Sequence, residues 1–488
     1  MVRRAVLILV VLTTPLWFYA CAKNPVTGKK QPALMSEDRE IEIGRQYDPK
    51  IRKQYGVYDD SELQDYVRRV GEKLAGLSHR PALFYRFTVL DSPEVNAFAL
   101  PGGYIYITRG LLSYLNSEAE LAAVLGHEIG HVTARHAVRQ YTASTAARIG
   151  YTIGAIFIPE LATQGAANLF NLFGTAIIRG YGRKHELEAD RLGAQYLALS
   201  GYEPRAVLDV LEILKNQEEF EKERAKAEGR EARVYHGVFA SHPSADQRLQ
   251  EVVAEADKHK VANPHTGRDE FLTLLDGMVF GDSVKQGVRY GRNFYHKDLG
   301  FALEFPENWR IENRPQEIEA SSRDNNAVLK IMAEDLNRRI SPREFMVQRL
   351  KLKKLARGQE LSGTALEAYT AVSRLLWPFG RHDTRVSVIY FRDKAYIFLG
   401  AGKTDRAFAS ADPLFLNTAR SLHALTATEH KLAEGLRIQI VQAKPGNSFA
   451  QLATDSPIPN YPARVLRLIN DRYPSGELAP GQKLKIVR

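Results

Sequence analysis

The chain of 488 residues has room for two to four domains at ~100–200 residues each, with sizeable buried cores. With 44% hydrophobic and 25% charged residues, it is not wholly disordered, collagen-like or a polytopic membrane protein. Lys and Arg number 67 against 57 Asp and Glu, a net charge of +10, but the signs are interspersed, which suits an anionic surface or polymer better than nucleic acid.

Arg3 and Arg4 precede an apolar run over 5–12, and Ala20 stands just before Cys21. The run is short for a spanning helix of ~20 residues and is followed by Thr13, Thr14 and Pro15, so 1–20 reads as a secretory signal. Cys21 is the sole cysteine, which excludes an intramolecular disulfide and a cysteine-based zinc site. The segment resembles a bacterial lipoprotein signal, with Phe18 and Tyr19 standing where that pattern has Leu and a small residue. The resemblance implies cleavage before Cys21, acylation of Cys21 and, since Ala22 follows rather than Asp, sorting to the outer membrane. Acyl chains would anchor the protein at ~0.8 kcal/mol per buried methylene.

Residues 21–35 form a polar linker. The spacing of Leu63, Tyr66, Val67, Val70 and Leu74 predicts amphipathic helices within 36–75. Aromatic and β-branched runs at 84–90 and 103–108 predict strands. Ser117 and Glu120 form a Ser-x-x-Glu start for a helix expected to run to about Gln140. An Ala/Gly-rich apolar stretch over 145–180 reads as a buried or membrane-facing helix pair, and helices are expected again at 184–200, 204–227 and 245–257.

The helix after Ser117 carries His127-Glu128-Ile129-Gly130-His131. At 100° per residue the two histidines lie on one face and can bind one metal ion, with Glu128 placed to act on a water beside it. A hydrolytic zinc site takes three protein ligands and keeps a fourth position open. Ala134 and Ala137 break the pattern HExxHxxGxxH, and His136 comes one residue too early for it. The better third ligand lies in His185-Glu186-Leu187-Glu188-Ala189-Asp190, where Glu186 and Asp190 share a helix face. Glu186 can then bind zinc and Asp190 can orient a ligand histidine, whereas Glu188 points elsewhere. His136 and His185 read as hydrogen-bonding or solvated histidines rather than ligands.

With HExxH followed by ExxxD, the chain resembles the zinc metallopeptidase family that includes the CAAX prenyl endopeptidase, HtpX and the β-barrel assembly-enhancing protease. The motifs fall on His127, Glu128, His131, Glu186 and Asp190. Asn96, Ala97, Phe98 and Ala99, leading into Leu100-Pro101-Gly102-Gly103, look like that family's active-site edge strand. Ser241-His242-Pro243 with Arg248 looks like its late motif beside the zinc. The resemblance implies a mostly helical gluzincin-type domain with a small sheet over 36–265 and one zinc ion per chain. It implies Glu128 as general base, His242 or Arg248 as supporting donors to the oxyanion, and substrate paired along Asn96–Ala99.

Beyond residue 265, strand-like runs at 299–305, 328–331, 385–391 and 395–400 alternate with helical patterns, predicting an α/β domain over 285–428. Phe294 to Asn313 resembles the opening hairpin of PsbP-like domains. Residues 435–488 resemble a LysM-like strand–helix–helix–strand module, with Asn447 in place of the usual Asp and Asn470 at the loop position. Such a module implies contact with peptidoglycan and a role in localisation rather than hydrolysis. The whole reads as an α+β zinc endopeptidase acting on unfolded or misassembled envelope proteins. It is expected at the periplasmic face of a bacterial envelope, as an outer-membrane lipoprotein without nucleic-acid partners. The rival reading is a chaperone-like or binding lipoprotein on a latent peptidase fold.

Overall fold

A computed structural model describes residues 21–145, 181–228, 258 and 261–488. The expected signal at 1–20, most of the apolar stretch at 145–180 and the expected helix at 245–257 lie outside the described residues. Helices and sheets are mixed in α+β fashion, and two compact units are present. The first contains the residues up to Arg52 with Gly56–Phe280 and Arg437–Arg488; the second contains Lys53–Tyr55 and Gly281–Leu436. No described helix is long and apolar enough to cross a membrane.

The first unit opens with a hairpin of β1 (Cys21–Lys23) and β2 (Lys30–Pro32). Helix α1 (Glu37–Tyr55) is capped by the Ser36 side chain, and α2 (Ser61–Gly76) by that of Asp60. Leu63, Tyr66, Val67, Val70 and Leu74 of α2 are all buried, as their spacing predicts, and each contributes about 2 kcal/mol of apolar burial. Gly71 lies under the ring of Phe87, where a Cβ would stand 2.5 Å from ring carbons. That close contact seats α2 on a three-stranded sheet of β3 (Arg86–Leu90), β4 (Ala97–Leu100) and β5 (Tyr104–Thr108). The strand order is β3-β5-β4, with β3 parallel and β4 antiparallel to β5, so β4 forms an edge.

A single turn, α3 (Arg109–Leu112), leads to α4 (Glu118–Thr133), every residue of which is buried. Ser117 accepts a hydrogen bond from the Glu120 amide, and the Glu120 carboxylate accepts one from the Asn116 amide at 2.6 Å. The sequence spacing carried this helix to about Gln140. It stops at Thr133 instead: the chain turns at 134–135, with Arg135 at φ 57°, and 136–145 are helical again. A left-handed conformation at a residue with a Cβ is strained and persists only when its surroundings fix it. Here the Arg135 guanidinium donates to Glu40 Oε1 at 2.8 Å and to the Met35 carbonyl at 2.9 Å. Arg80 shares Glu40 at 2.9 Å and donates to the Val132 carbonyl at 3.0 Å, satisfying one of the helix's last carbonyls. Helices α5 (Arg183–Leu199), α6 (Ala206–Ala227) and α7 (Arg268–Leu274) and the short β6 (Val279–Phe280) follow.

The second unit starts with the meander β7 (Val288–Tyr290), β8 (Asn293–His296) and β9 (Phe301–Glu304). A seven-stranded antiparallel sheet follows. It is built from β10 (Arg310–Asn313), β11 (Ile318–Ser321), β12 (Ala327–Asp335), β13 (Ala356–Glu360), β14 (Ala368–Trp377), β15 (Gly380–Phe391) and β16 (Lys394–Gly402), in the order β10-β11-β12-β16-β15-β14-β13. Helix α8 (Pro342–Gln348) lies between β12 and β13 in sequence, and α9 (Asp405–Arg420) packs Phe408 and Phe415 into the sheet's core. Gly400 makes room for the Phe415 ring. Strand β17 (His423–Ala424) pairs with β9, and α10 (Ala427–Leu432) closes the unit.

The C-terminal segment runs β18 (Leu436–Gln442), α11 (Phe449–Thr454), α12 (Pro462–Ile469) and β19 (Lys483–Val487). It folds with the first unit: β18 is the central strand between β19 and β6, and Ile438 joins the main core. Lys485 is wholly buried, with Nζ donating to the Ser113 carbonyl at 2.9 Å and the Leu115 carbonyl at 2.7 Å. Burial pushes its pKa down to about 7, against the opposing charge of Glu120. Replacing Lys485 with Met removes the donor and leaves two buried carbonyls short of a partner. We expect Lys485→Met to lower unfolding free energy by about 2 kcal/mol, read from urea titrations of the full chain.

Candidate metal-binding active site

Helices α4 and α5 cross at glycines. A Cβ on Gly130 would meet the Ala189 carbonyl at 3.0 Å, and one on Gly193 would meet the His127 amide at 3.2 Å. Such backbone proximity lets short acidic side chains from α5 reach the imidazoles of α4.

The donor atoms of His127, His131 and Glu186 all lie within 4.8 Å of one another, and all three residues are buried. His127 Nε2 is 2.9 Å from His131 Nε2 and 3.6 Å from Glu186 Oε2, and His131 Nε2 is 3.5 Å from Glu186 Oε1. Tetrahedral ligands at zinc–ligand distances near 2.0–2.1 Å stand ~3.3 Å apart, so the three separations fit one small cation. Asp190 Oδ1 lies 2.8 Å from His127 Nδ1. A carboxylate there accepts the Nδ1 proton and leaves the Nε2 lone pair directed at the cluster. Two imidazole lone pairs and a carboxylate converging in a buried space make a donor set suited to a cation.

Glu128 is buried beside this cluster. With His127 and Asp190 it borders an apolar recess lined by Ala97, Val124, Val207, Val210 and Leu214. The recess therefore meets the edge strand β4, where Ala97, Phe98 and Ala99, like Asn96 just before it, are buried. His242 and Arg248, expected to support the oxyanion, lie outside the described residues, and of Cys21 only the backbone is described, in β1.

His136 and His185, expected as hydrogen-bonding or solvated histidines, lie beside the cluster with Glu188 and Tyr181. His136 Nδ1 lies 2.8 Å from His131 Nδ1, and its Nε2 lies 3.2 Å from Glu188 Oε2, which also accepts from Arg139 at 2.6 Å. Tyr181 stacks on His131, with ring centroids 4.3 Å apart at 23°. Burial, with the charges of Glu128 and Glu186, raises the pKa of Tyr181. Burial raises the Glu188 carboxyl, but hydrogen bonds from His136 and Arg139 outweigh it and hold the group down at about 2. His185 stacks on His136 at 4.4 Å, and burial, with the charges of His136 and Arg139, lowers its pKa to about 4. The signal for His136 was its place five residues after His131, legible only if the helix breaks between them. Nothing in the sequence marked Tyr181.

A helix-borne pair of histidines, a carboxylate from a second helix and a flanking glutamate beside a sheet edge define a metallopeptidase type of site. Residues 61–256 match the profile of Peptidase family M48, so the chain carries a domain of that family. The β-barrel assembly-enhancing protease of Yersinia pestis is 29% identical over 257 residues, covering 51% of this chain and 50% of that protein. The protein of that name from Escherichia coli K12 is 27% identical over 294 residues, covering 55% and 58%. The mitochondrial metalloendopeptidase OMA1 of Arabidopsis thaliana is 34% identical over 168 residues, covering 34% and 33%. The chain thus spans about half the length of the assembly-enhancing proteases it matches. Among solved structures, the cyanobacterial PsbP of Synechocystis sp. PCC 6803 aligns over 28% of this chain and 95% of its own, at 14% identity and a TM-score of 0.22. That likeness is too slight to assign a role to any part of the chain.

The convergence of donors has a direct test. We expect the full chain to retain one divalent ion after dialysis, Glu186→Ala to lose it and His185→Ala to keep it, as read by atomic absorption.

Proposed function

We propose that the protein is a zinc-dependent endopeptidase that hydrolyses unfolded or misassembled proteins of a bacterial cell envelope. The observation that carries this reading is the convergence of His127, His131 and Glu186 beside Glu128 and the edge strand β4. The M48 domain and the relatives' names agree with it.

A zinc ion held by His127, His131 and Glu186 would acidify a water and polarise the scissile carbonyl. Glu128 takes the proton of the attacking water and passes it to the leaving amine, so no covalent acyl intermediate is needed. Asp190 holds His127 in the tautomer that presents Nε2. Substrate lies extended along Asn96–Ala99, adding a strand to β4; main-chain pairing of this kind reads backbone more than side chains and so favours unfolded segments. His242 and Arg248 are the proposed donors to the developing oxyanion.

The signal-like 1–20 and Cys21 support anchoring as an outer-membrane lipoprotein facing the periplasm, with acyl chains on Cys21. The strand–helix–helix–strand order of 436–487 supports a LysM-like module able to contact peptidoglycan.

Glu128→Gln keeps the ligands and loses the base. We expect it to bind zinc like the unaltered protein and to cut a soluble unfolded substrate roughly 10²–10⁴-fold more slowly. Near-normal cleavage would remove Glu128 from the mechanism. For the anchor, mass spectrometry of the mature N-terminus should find an acylated Cys21, and Cys21→Ser should leave the membrane fraction or stay unprocessed. An unmodified Cys21 in the mature protein refutes the lipoprotein assignment.

A further inference from the structure

The two proposed metal histidines are held differently. His127 meets a carboxylate directly, whereas His131 meets a second imidazole, that of His136, which meets a carboxylate in turn. We infer that His136 and Glu188 are positioning residues that form a relay fixing the proton of His131 on Nδ1, and so presenting its Nε2 lone pair to the metal. The inference rests on the reading that the cluster holds a metal ion.

The proton positions follow from the geometry one at a time. Two ring nitrogens 2.8 Å apart share one hydrogen, so either His131 donates to His136 or the reverse. If His136 donated, the neutral His131 ring would carry its hydrogen on Nε2, the atom 2.9 Å from His127 Nε2 and 3.5 Å from Glu186, and could not bind metal there. With His131 as donor, His136 accepts on Nδ1 and carries its own hydrogen on Nε2. That atom faces Glu188 Oε2 at 3.2 Å. Glu188 accepts from a second donor, Arg139 at 2.6 Å. Each group in the chain His131–His136–Glu188 therefore has one role, and the last is fixed by a cation. His136 is wholly buried, so both of its ring nitrogens are matched by these protein partners.

The backbone is shaped for this contact. On an unbroken helix, residues five apart lie ~140° from each other around the axis, on different faces. The break at Ala134–Arg135 swings the chain so that His136 returns over His131, and the left-handed Arg135 that makes the break is held by Glu40 and the Met35 carbonyl.

Zinc affinity and proton position test the relay separately from peptide cleavage. Full-chain variants His136→Ala, His136→Asn, Glu188→Ala and His185→Ala would be titrated with zinc against a competing chelator. We expect His136→Ala to weaken zinc binding by about 10–100-fold and Glu188→Ala by a smaller factor. His136→Asn should recover most of the loss, because the amide oxygen takes the place of Nδ1 as acceptor. His185→Ala, which removes a ring packed on His136 and Tyr181 but no member of the relay, should stay within about two-fold. In the zinc-loaded Glu128→Gln protein with ¹⁵N-labelled histidine, His136 should be protonated on Nε2. The relay is overturned if His136→Ala binds zinc as tightly as the unaltered protein, if His185→Ala costs as much as His136→Ala, or if His136 carries its proton on Nδ1. Should His136→Ala fail to fold, the Glu188→Ala and His136→Asn affinities and the histidine spectrum decide the matter. An unaltered chain that binds no zinc would sink the metal reading itself, whereas tight zinc binding indifferent to His136 would sink only the relay.

Discussion

The site depends on how closely α4 and α5 approach. Gly126, Gly130 and Gly193 leave backbone against backbone at the crossing, and a methyl group at Gly130 would already press on the Ala189 carbonyl. Asp and Glu side chains are short, so an extra ångström of separation would carry Asp190 out of hydrogen-bond range of His127. Small residues at helix crossings are ordinarily read as packing devices. Here they also set a donor geometry, because each donor is carried by the same two helices that the glycines bring together.

Close approach alone would bury charge without compensation. Desolvating a carboxylate or a guanidinium costs several kcal/mol unless partners replace the lost water. Glu40, nearly inaccessible, meets Arg80 and Arg135; Arg109 meets Asp91; Glu118 accepts from the Tyr66 and Tyr202 hydroxyls. These partners come from distant parts of the first unit, and most of them touch α4 or the turns that flank it. The helix thus has little freedom to slide, which is what an arrangement requiring sub-ångström placement of two imidazoles needs.

The local features were legible in the sequence. The i,i+4 spacing of His127 with His131 and of Glu186 with Asp190 is a property of helices, and both pairs do lie on helices. The Ser117 start and the buried stripe of α2 were legible for the same reason. Strands expected at 84–90 and 103–108 appear at Arg86–Leu90 and Tyr104–Thr108. What was hidden is what long-range contacts decide. Nothing near Arg135 announces a left-handed residue, because Glu40, 95 residues earlier, stabilises it. The path of the last fifty residues was hidden likewise. Lys485 sits among strand-like residues, and its amino group is enclosed against carbonyls some 370 residues away in sequence.

That placement bears on what the C-terminal segment does. Lys485 reaches the carbonyls of Ser113 and Leu115, and Arg268 joins the Asn116 carbonyl to that of Lys483. The carbonyls of Ser113, Leu115 and Asn116 immediately precede the start of α4. A cation near a helix N-terminus opposes the helix dipole, so the contact is kept by the carbonyls and by the acidic first turn of Glu118 and Glu120 rather than by the helix itself. At the other end Arg80 binds the Val132 carbonyl, and Arg135 turns the chain toward His136. The helix that carries His127, Glu128 and His131 is therefore held at both ends by basic side chains from outside it. One of those holds comes from the C-terminal strand–helix–helix–strand segment. A module whose lysine supports the start of the active-site helix cannot be exchanged as a detachable address, since removing it would take away the N-terminal hold along with any surface it binds.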